Sequence, residues 1–169
     1  GRGIETILNL AEINKEIKFH IIGGYETDIN HWKTKINSDN IIFHGHVKPK
    51  LVSVFLNQFD LLIAPYQQKV IIPNGLNTAS WMSPLKIFEY MAAKKPILSS
   101  NLPVLKEVLT HNVNSYLCDP NKLSDWDIGL KFLVLNPDFS DKIATNAYNS
   151  FKNFYTWSSR SKIISKYFE

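Results

Sequence analysis

The densest chemical signal in the sequence is the start of a predicted helix at Ser83. Ser83 is a favoured helix-capping type, and Pro84 suits the first helical position because a proline has no N–H to leave unpaired. The free amides of such a first turn and the helix dipole together form a site for a phosphate or diphosphate. Lys86 and Glu89 are three residues apart and share a helix face near this end. They belong either to an anion-binding site or to an exposed Lys–Glu pair, and spacing alone leaves both interpretations open.

This helix is predicted over residues 83–93. Leu85, Phe88 and Ala92 recur at i, i+3 and i+7, so they are predicted to form its buried stripe. Glu89 lies off that stripe and is predicted to remain on the exposed side.

Glycines directly follow two predicted strands. Gly23 and Gly24 end the apolar run 17–22, and Gly45 comes soon after the run 41–43. A glycine allows the backbone to approach a ligand closely. Simple tight turns explain the same positions equally well.

Three histidines lie close to these glycines. His44 and His46 are two residues apart at a strand end and point the same way. The surrounding sequence suggests no third or fourth ligand, so no metal site is predicted. His20 lies in the middle of a strand and is predicted to be a hydrogen-bonded core residue.

Strand and helix patterns alternate along the chain. The strands lack period-two alternation, which is typical of a parallel sheet covered on both faces. The pattern predicts a Rossmann-like, doubly wound parallel α/β domain with a helical C-terminal segment, and ligands are expected at the carboxyl ends of its strands. Strands are predicted at residues 17–22, 41–43, 61–64, 96–98 and 114–118, and helices at 4–11, 28–36, 50–59, 83–93, 102–109, 123–135, 140–154 and 158–168.

The composition is that of an ordered globular domain. The 169 residues are 44% hydrophobic and 20% charged, which excludes a disordered chain. The single cysteine, Cys118, excludes an internal disulfide framework and a cysteine-based zinc cluster. No apolar run approaches the ~20 residues that a membrane-spanning helix needs.

The net charge of +4 comes from 19 Lys and Arg residues spread along the chain. Such a charge fits either a solvated basic surface or a surface that faces phosphates or an anionic membrane. Nucleic acid is not a predicted partner, because no nucleic-acid-binding motif is present.

Four segments in order resemble the family 4, GT-B glycosyltransferases, the glycogen-synthase-like superfamily. SPLKIFEYMAAKKPILSSNLPVLKEVL, at residues 83–109, is similar to the donor-binding segment of that family. GRGIETIL resembles its KG-I-x-x-L helix start, and residues 43–66 resemble its F-x-G-x-V and D-L-L-I-x-P-Y stretch. FYTWSSRSKIISKYF resembles the closing F-[ST]-W helix, so the resemblance covers nearly the whole chain.

The resemblance implies that residues 1–169 form the C-terminal half of a retaining glycosyltransferase. This half would bind a UDP- or GDP-sugar for transfer to a polysaccharide or lipid-linked acceptor. The acceptor-binding N-terminal domain is expected to lie outside this chain, since the sequence enters a helical pattern without a leading strand. The resemblance further implies no metal and no cofactor. The expected location is cytoplasmic, either free or at the inner face of the cytoplasmic membrane.

The resemblance also assigns roles to residues around the phosphates. Glu89 matches the family's glutamate that binds the ribose hydroxyls, and Arg2 falls where a lysine contacts the diphosphate. The family's backbone contacts to phosphates and sugar fall on Ser83, Pro84 and Leu85.

The resemblance places the nucleobase at a different loop. Gly45, His46 and Val47 match the loop that frames the base, and His46 is therefore predicted to lie beside it. The predicted donor site as a whole also includes Lys86 and the glycines at 23 and 24.

One departure from the family pattern affects the donor sugar. The family's first glutamate lies eight residues before Glu89, and that position is Trp81 here. In the family that carboxylate contacts the donor sugar. An alternative interpretation is therefore a non-catalytic, nucleotide-sugar-binding subunit of a split or degenerate glycosyltransferase.

Overall fold

The structure, a computed structural model, describes residues 2–69, 75–77 and 85–165. Helices and strands alternate through most of the chain, and helices alone follow the last strand. The strands are β1 (Phe19–Ile22), β2 (Ile41–Gly45), β3 (Leu62–Ala64), β4 (Ile97–Ser100) and β5 (Tyr116–Cys118). The helices are α1 (Ile4–Ile13), α2 (Glu26–Lys33), α3 (Pro49–Asn57), α4 (Leu85–Ala92), α5 (Pro103–Lys106), α6 (Leu123–Leu135), α7 (Pro137–Ser150) and α8 (Trp157–Ser165).

All five predicted strands form, and every strand pair is parallel. β1 pairs with β2, while β4 lies between β3 and β5 in a second sheet. The predicted parallel α/β class is confirmed. Within the described residues β1 and β3 do not pair with each other, so each of them pairs along one edge only.

One hydrophobic cluster packs against both sheets. Phe19 of β1, Leu98 of β4 and Cys118 of β5 are buried in it. Leu10 of α1 and Trp126 of α6 complete the same cluster and are fully buried. The two sheets therefore belong to one folded unit, although no backbone hydrogen bonds join β1 to β3.

The predicted buried stripe of α4 is wrong. Ile87 and Met91 are fully buried, whereas Leu85 is 69% exposed and Ala92 is also exposed. Six of the eight residues of α4 are apolar or aromatic, so the spacing alone allowed more than one buried face. The contacts with β4 and α7 decide which face is buried, because Ile87 and Met91 share a cluster with Ile97 and Ala147.

Two helices, α2 and α7, begin two or three residues earlier than predicted. α2 begins at Glu26 instead of residue 28, with Glu26 and Asp28 in its first turn, where the helix dipole favours acidic side chains. α7 begins at Pro137, a favoured first residue, and a π-helical turn (Phe151–Tyr155) follows it before α8.

A buried asparagine fixes the connection from α1 to β1. The Nδ2 of Asn40 donates to the carbonyl oxygens of Ala11 at 3.1 Å, Asn14 at 2.8 Å and Ile17 at 2.7 Å. The carbonyl of Asn40 accepts the first amide of β1 from Phe19 at 2.8 Å. A single side chain therefore bonds to three carbonyls between the last turn of α1 and the start of β1.

We predict that Asn40→Ala lowers the free energy of unfolding by about 2 kcal/mol, because it removes the buried donor that bonds to three carbonyls. Urea unfolding followed by tryptophan fluorescence measures the change. Asn37→Ala is the control, since Asn37 is exposed and makes one long bond of 3.5 Å to Glu12. That control should stay within about 0.5 kcal/mol of the wild type, and equal losses in both variants would contradict the role of Asn40.

Candidate functional site

The glycines predicted to meet a ligand lie together where β1 and β2 end. Gly23, Gly24 and Gly45 all have positive φ angles, at 99°, 92° and 65°. The amide of Gly23 donates to the carbonyl of Gly45 at 2.7 Å. This bond holds the two strand ends together in a conformation that residues with side chains rarely adopt.

A hollow of about 480 Å³ opens beside these strand ends. It lies between α2 and the end of β2, and His46 is exposed at its edge. Val47 follows and is half-buried. The residues that shape the hollow include Gly24, Tyr25, Ile29, Phe43, Gly45 and His46.

The start of α1 lies against the loop that follows β3. Gly3 precedes α1 with a φ of 73°, and a Cβ built on it would lie 1.9 Å from the carbonyl oxygen of Pro65. Only a glycine allows so close an approach. This contact carries the neighbouring Arg2 to the carboxyl end of β3.

The charges of Arg2 and Glu89 act on both Tyr66 and Lys86. Burial raises the pKa of Tyr66, while the charge of Arg2 lowers it and that of Glu89 raises it. Loss of water lowers the pKa of Lys86, and the nearby Arg2 lowers it further, against the opposing effect of Glu89. Three predicted donor-site residues from distant parts of the sequence are therefore brought together.

The exposed Lys–Glu pair that spacing allowed does not form as an ion pair. Within the described ranges the ion pair present is Lys131–Asp127, at 2.8 Å, on α6. Lys86 and Glu89 thus lie close enough to influence each other without neutralising each other directly. Arg2 and Lys86 together give this side of the site two positive charges.

Sequence reasoning missed the serines that support this group. The Oγ of Ser100, at the end of β4, donates to the carbonyl of Tyr66 at 2.6 Å and to that of Ala64 at 3.4 Å. Ser99 also donates to Ala64, at 3.4 Å, and both serines are fully buried. The sequence signal for this role was the pair of adjacent serines at the end of the otherwise apolar strand β4. They fix the Pro65–Tyr66 turn, against which Gly3 packs.

Tyr90 supports the strand β3 just before this turn. Its hydroxyl lies 3.5 Å from the carbonyl of Ile63, the acceptor, and burial raises its pKa strongly. Tyr90 therefore stays a neutral donor, and it packs against the same hydrophobic cluster as Tyr66.

The structure places the predicted site residues in two groups. Arg2, Lys86 and Glu89 form the first, at β3 and α4, and the loop at residues 45–47 joins the glycines of β1 in the second. Leu85 is the first described residue of α4 and is exposed. The predictions for Ser83 and Pro84, and the departure at Trp81, lie outside the described residues.

The predicted core role of His20 is wrong in one respect. The side chain has a hydrogen-bond partner, since its Nδ1 lies 2.8 Å from the Nε2 of His44. It is half-buried and faces α3, away from the main cluster. Within the described residues, no group of three His, Cys, Asp or Glu side chains is arranged to hold a metal ion. None of the described helices is both long and apolar enough to cross a membrane.

Sequence comparison identifies related proteins. A family model described as "Glycosyl transferases group 1" matches residues 4–134. TuaH of Bacillus subtilis (strain 168), which is named as a teichuronic acid biosynthesis glycosyltransferase, is 35% identical over 78 residues. That match covers 46% of this chain and 18% of TuaH.

Solved structures share the fold. Anabaena Alr3699/HepE in complex with UDP superposes with a TM-score of 0.78 at 16% identity, covering 99% of this chain and 45% of HepE. The C-terminal domain of LpcC, a glycosyl transferase group 1 family protein from Francisella tularensis, gives 0.74 at 18% identity, covering 92% of this chain and 80% of that domain. The chain thus spans less than half of the length of HepE.

We predict that Gly3→Ala destabilises the protein more than Gly23→Ala does. Both substitutions put a side chain at a positive φ, which costs about 1–2 kcal/mol. A Cβ at Gly23 meets nothing within 4 Å, whereas one at Gly3 displaces α1 from Pro65 and should cost about 1–3 kcal/mol more, as overpacking does. Urea unfolding of both variants measures the difference, and equal losses would show that the Gly3–Pro65 contact is not a constraint.

Proposed function

The chain belongs to the group 1 glycosyl transferases, and from that premise we propose that it forms the nucleotide-sugar-binding half of a two-domain, retaining enzyme of the GT-B fold. The observation that carries the proposal is the electrostatic influence of Arg2 and Glu89 on both Lys86 and Tyr66. Two cations and one carboxylate at the end of a parallel strand suit a ligand with a diphosphate and a diol. HepE, whose fold matches over 99% of this chain, has been crystallised with UDP and with UDP-glucose.

Arg2 and Lys86 are proposed to hold the diphosphate. Each offsets the negative charge of an anion placed between them, and the positive end of α4 adds to their effect. In the free protein Arg2 disfavours the protonated form of Lys86. A bound diphosphate removes that repulsion and stabilises both cations. As the bond from the sugar to the diphosphate breaks, the same charges stabilise the leaving nucleotide.

Glu89 is proposed to bind the ribose. It lies one helical turn beyond Lys86, about 1.5 Å further along the axis for each residue. A carboxylate accepts hydrogen bonds from two neighbouring hydroxyls, and such charge-assisted bonds are the stronger kind. Its position between the phosphate-binding cations and the outside of α4 suits a ribose attached to the diphosphate.

The hollow at the end of β2 is the proposed nucleobase site. Gly24 and Gly45 leave its floor without side chains, and His46 stands at its edge. A planar base needs close access to the backbone, and the two glycines provide it. The choice between uracil and guanine is part of the test below.

The acceptor half is proposed to come from polypeptide outside this chain. β1 and β3 each pair along one edge and pack on the same core, so a further parallel strand between them would join the two sheets.

An exposed apolar surface lies at the C-terminal helices. Trp157 of α8 is 87% exposed, and Phe154 and Ile164 are also exposed. An apolar surface of this kind suits contact with a further domain.

The acceptor is proposed to be a polysaccharide or a lipid-linked sugar, handled in the cytoplasm at the inner face of the membrane. The support is the name of TuaH, which refers to teichuronic acid biosynthesis. The net charge of +4 is compatible with an anionic membrane surface.

A second candidate is a nucleotide-sugar-binding subunit without catalysis. The replacement of the family's first glutamate by Trp81 favours it. The two candidates share the nucleotide site and differ in turnover, so glycosyl transfer by the complete protein separates them.

We predict that Glu89→Ala and Glu89→Gln weaken UDP or GDP binding by about 1.5–3 kcal/mol, the range for hydrogen bonds to a charged group. The fold should survive, since Glu89 is exposed. Calorimetric titration with UDP and with GDP measures the loss and identifies the base. Glu16→Gln, in the exposed turn between α1 and β1, is the control and should bind like the wild type. Unchanged affinity in folded Glu89 variants would refute the ribose contact.

We also predict that this chain by itself binds nucleotide but transfers no sugar. The reason is that the described site contains donor-binding groups, while the acceptor hydroxyl is proposed to enter from another domain. A turnover assay with a panel of nucleotide sugars and sugar acceptors measures this. Sustained transfer by residues 1–169 would contradict the two-domain proposal.

A further inference from the structure

Two histidines from neighbouring strands make a direct contact with each other next to the proposed nucleobase hollow. The Nδ1 of His20 on β1 lies 2.8 Å from the Nε2 of His44 on β2. Their ring centroids are 5.1 Å apart and the ring planes differ by 13°. A contact of this length between ring nitrogens requires one to donate and the other to accept.

An irregularity in the strand pairing brings His44 to His20. Phe43 pairs with Ile21, but the next residue of β1, Ile22, pairs with Gly45. His44 is therefore an extra residue in β2, and a bulge of this kind redirects a side chain. Two phenylalanines cover the pair: Phe55 of α3 contacts the ring of His44, and Phe59, two residues beyond α3, contacts that of His20, each with ring centroids 5.1 Å apart.

The pair is continuous with the proposed nucleobase loop. His44 lines the hollow and is bonded directly to Gly45, whose carbonyl accepts the amide of Gly23. His46 follows at the edge of the same hollow. Any change that releases His44 from His20 therefore acts on the backbone of residues 44–47.

We propose that His20 and His44 are a positioning pair that holds the loop at residues 44–47 by sharing one proton, and that nucleotide affinity falls when both rings become protonated. This inference rests on the proposed function for its effect on affinity. When both rings are protonated, both facing nitrogens are donors, so the bond is lost and two positive charges lie side by side. The loop then loses the contact that fixes its first residue.

The surroundings of the pair oppose the second proton. Partial burial lowers the pKa of His20, and the charges of His44 and of Lys18, just before β1, lower it further. From α3 and the residues just after it, the groups that contact the pair are the uncharged rings of Phe55 and Phe59. The unfolded chain therefore takes up the proton at higher pH than the folded one, so the pair's stabilisation is present near neutral pH and lost in mild acid.

The test compares affinity for UDP-glucose at pH 7.5 and pH 5.5. Both phosphates of this probe are esterified, so its charge stays constant over that range. We expect wild-type affinity to fall about five- to tenfold in acid, as for the loss of one hydrogen bond. In His20→Asn the amide nitrogen replaces Nδ1 without titrating, and the affinity should change less than twofold. His31→Asn, on the exposed face of α2, is the control and should retain the wild-type pH dependence.

Nuclear magnetic resonance follows the pair without any nucleotide. The amide signals of Gly45 and His46 should move with the ring titration of His20 in the wild type. They should stay fixed in His20→Asn and in a second variant, His44→Gln, which replaces Nε2. The inference would be overturned if the amide signals of Gly45 and His46 did not change as the ring titrates. An equal loss of affinity in acid for the wild type and His20→Asn would also overturn it. If UDP-glucose fails to bind at pH 7.5, the proposed function fails, and the amide signals alone decide the role of the pair.

Discussion

The site depends on one close contact between backbone segments, that of Gly3 with Pro65. A side chain at Gly3 would overlap the carbonyl oxygen of Pro65, so α1 can start at the end of β3 only because this residue is a glycine. The contact places Arg2 where its charge lowers the pKa of both Tyr66 and Lys86. Ser100 holds the other side of the same turn through the carbonyl of Tyr66. The charge arrangement proposed to bind a diphosphate therefore rests on uncharged groups that fix the backbone.

The other end of the proposed site relies on strand pairing. The bond between Gly23 and Gly45 joins the ends of β1 and β2, and the extra residue in β2 brings His44 to His20. A loop held in this way presents backbone groups at a constant position, which a planar base requires. In both halves of the site, hydrogen bonds within the fold therefore hold backbone groups in position.

Several features could be predicted because they depend on neighbours in the sequence. Strands without alternation, glycines after strands and the amphipathic helices are local patterns, and they led to the parallel α/β class. The order of four motifs led to the glycosyltransferase family. The asparagine that joins α1 to β1 was not predicted, because its three acceptors, Ala11, Asn14 and Ile17, are recognisable only once the chain has folded back.

The sequence by itself determined which elements form and which residue types end them, because helix and strand periods and glycine conformations are properties of short segments. Only the tertiary structure decided which side of α4 is buried, since nearly all of its faces are apolar and the contacts with β4 and α7 select Ile87 and Met91. It also decided that the charge of Arg2 acts on Lys86, and that His20 contacts His44 instead of the core. These interactions join residues 24 to 84 positions apart in the sequence. Packing and strand register bring them together, and no local pattern encodes either.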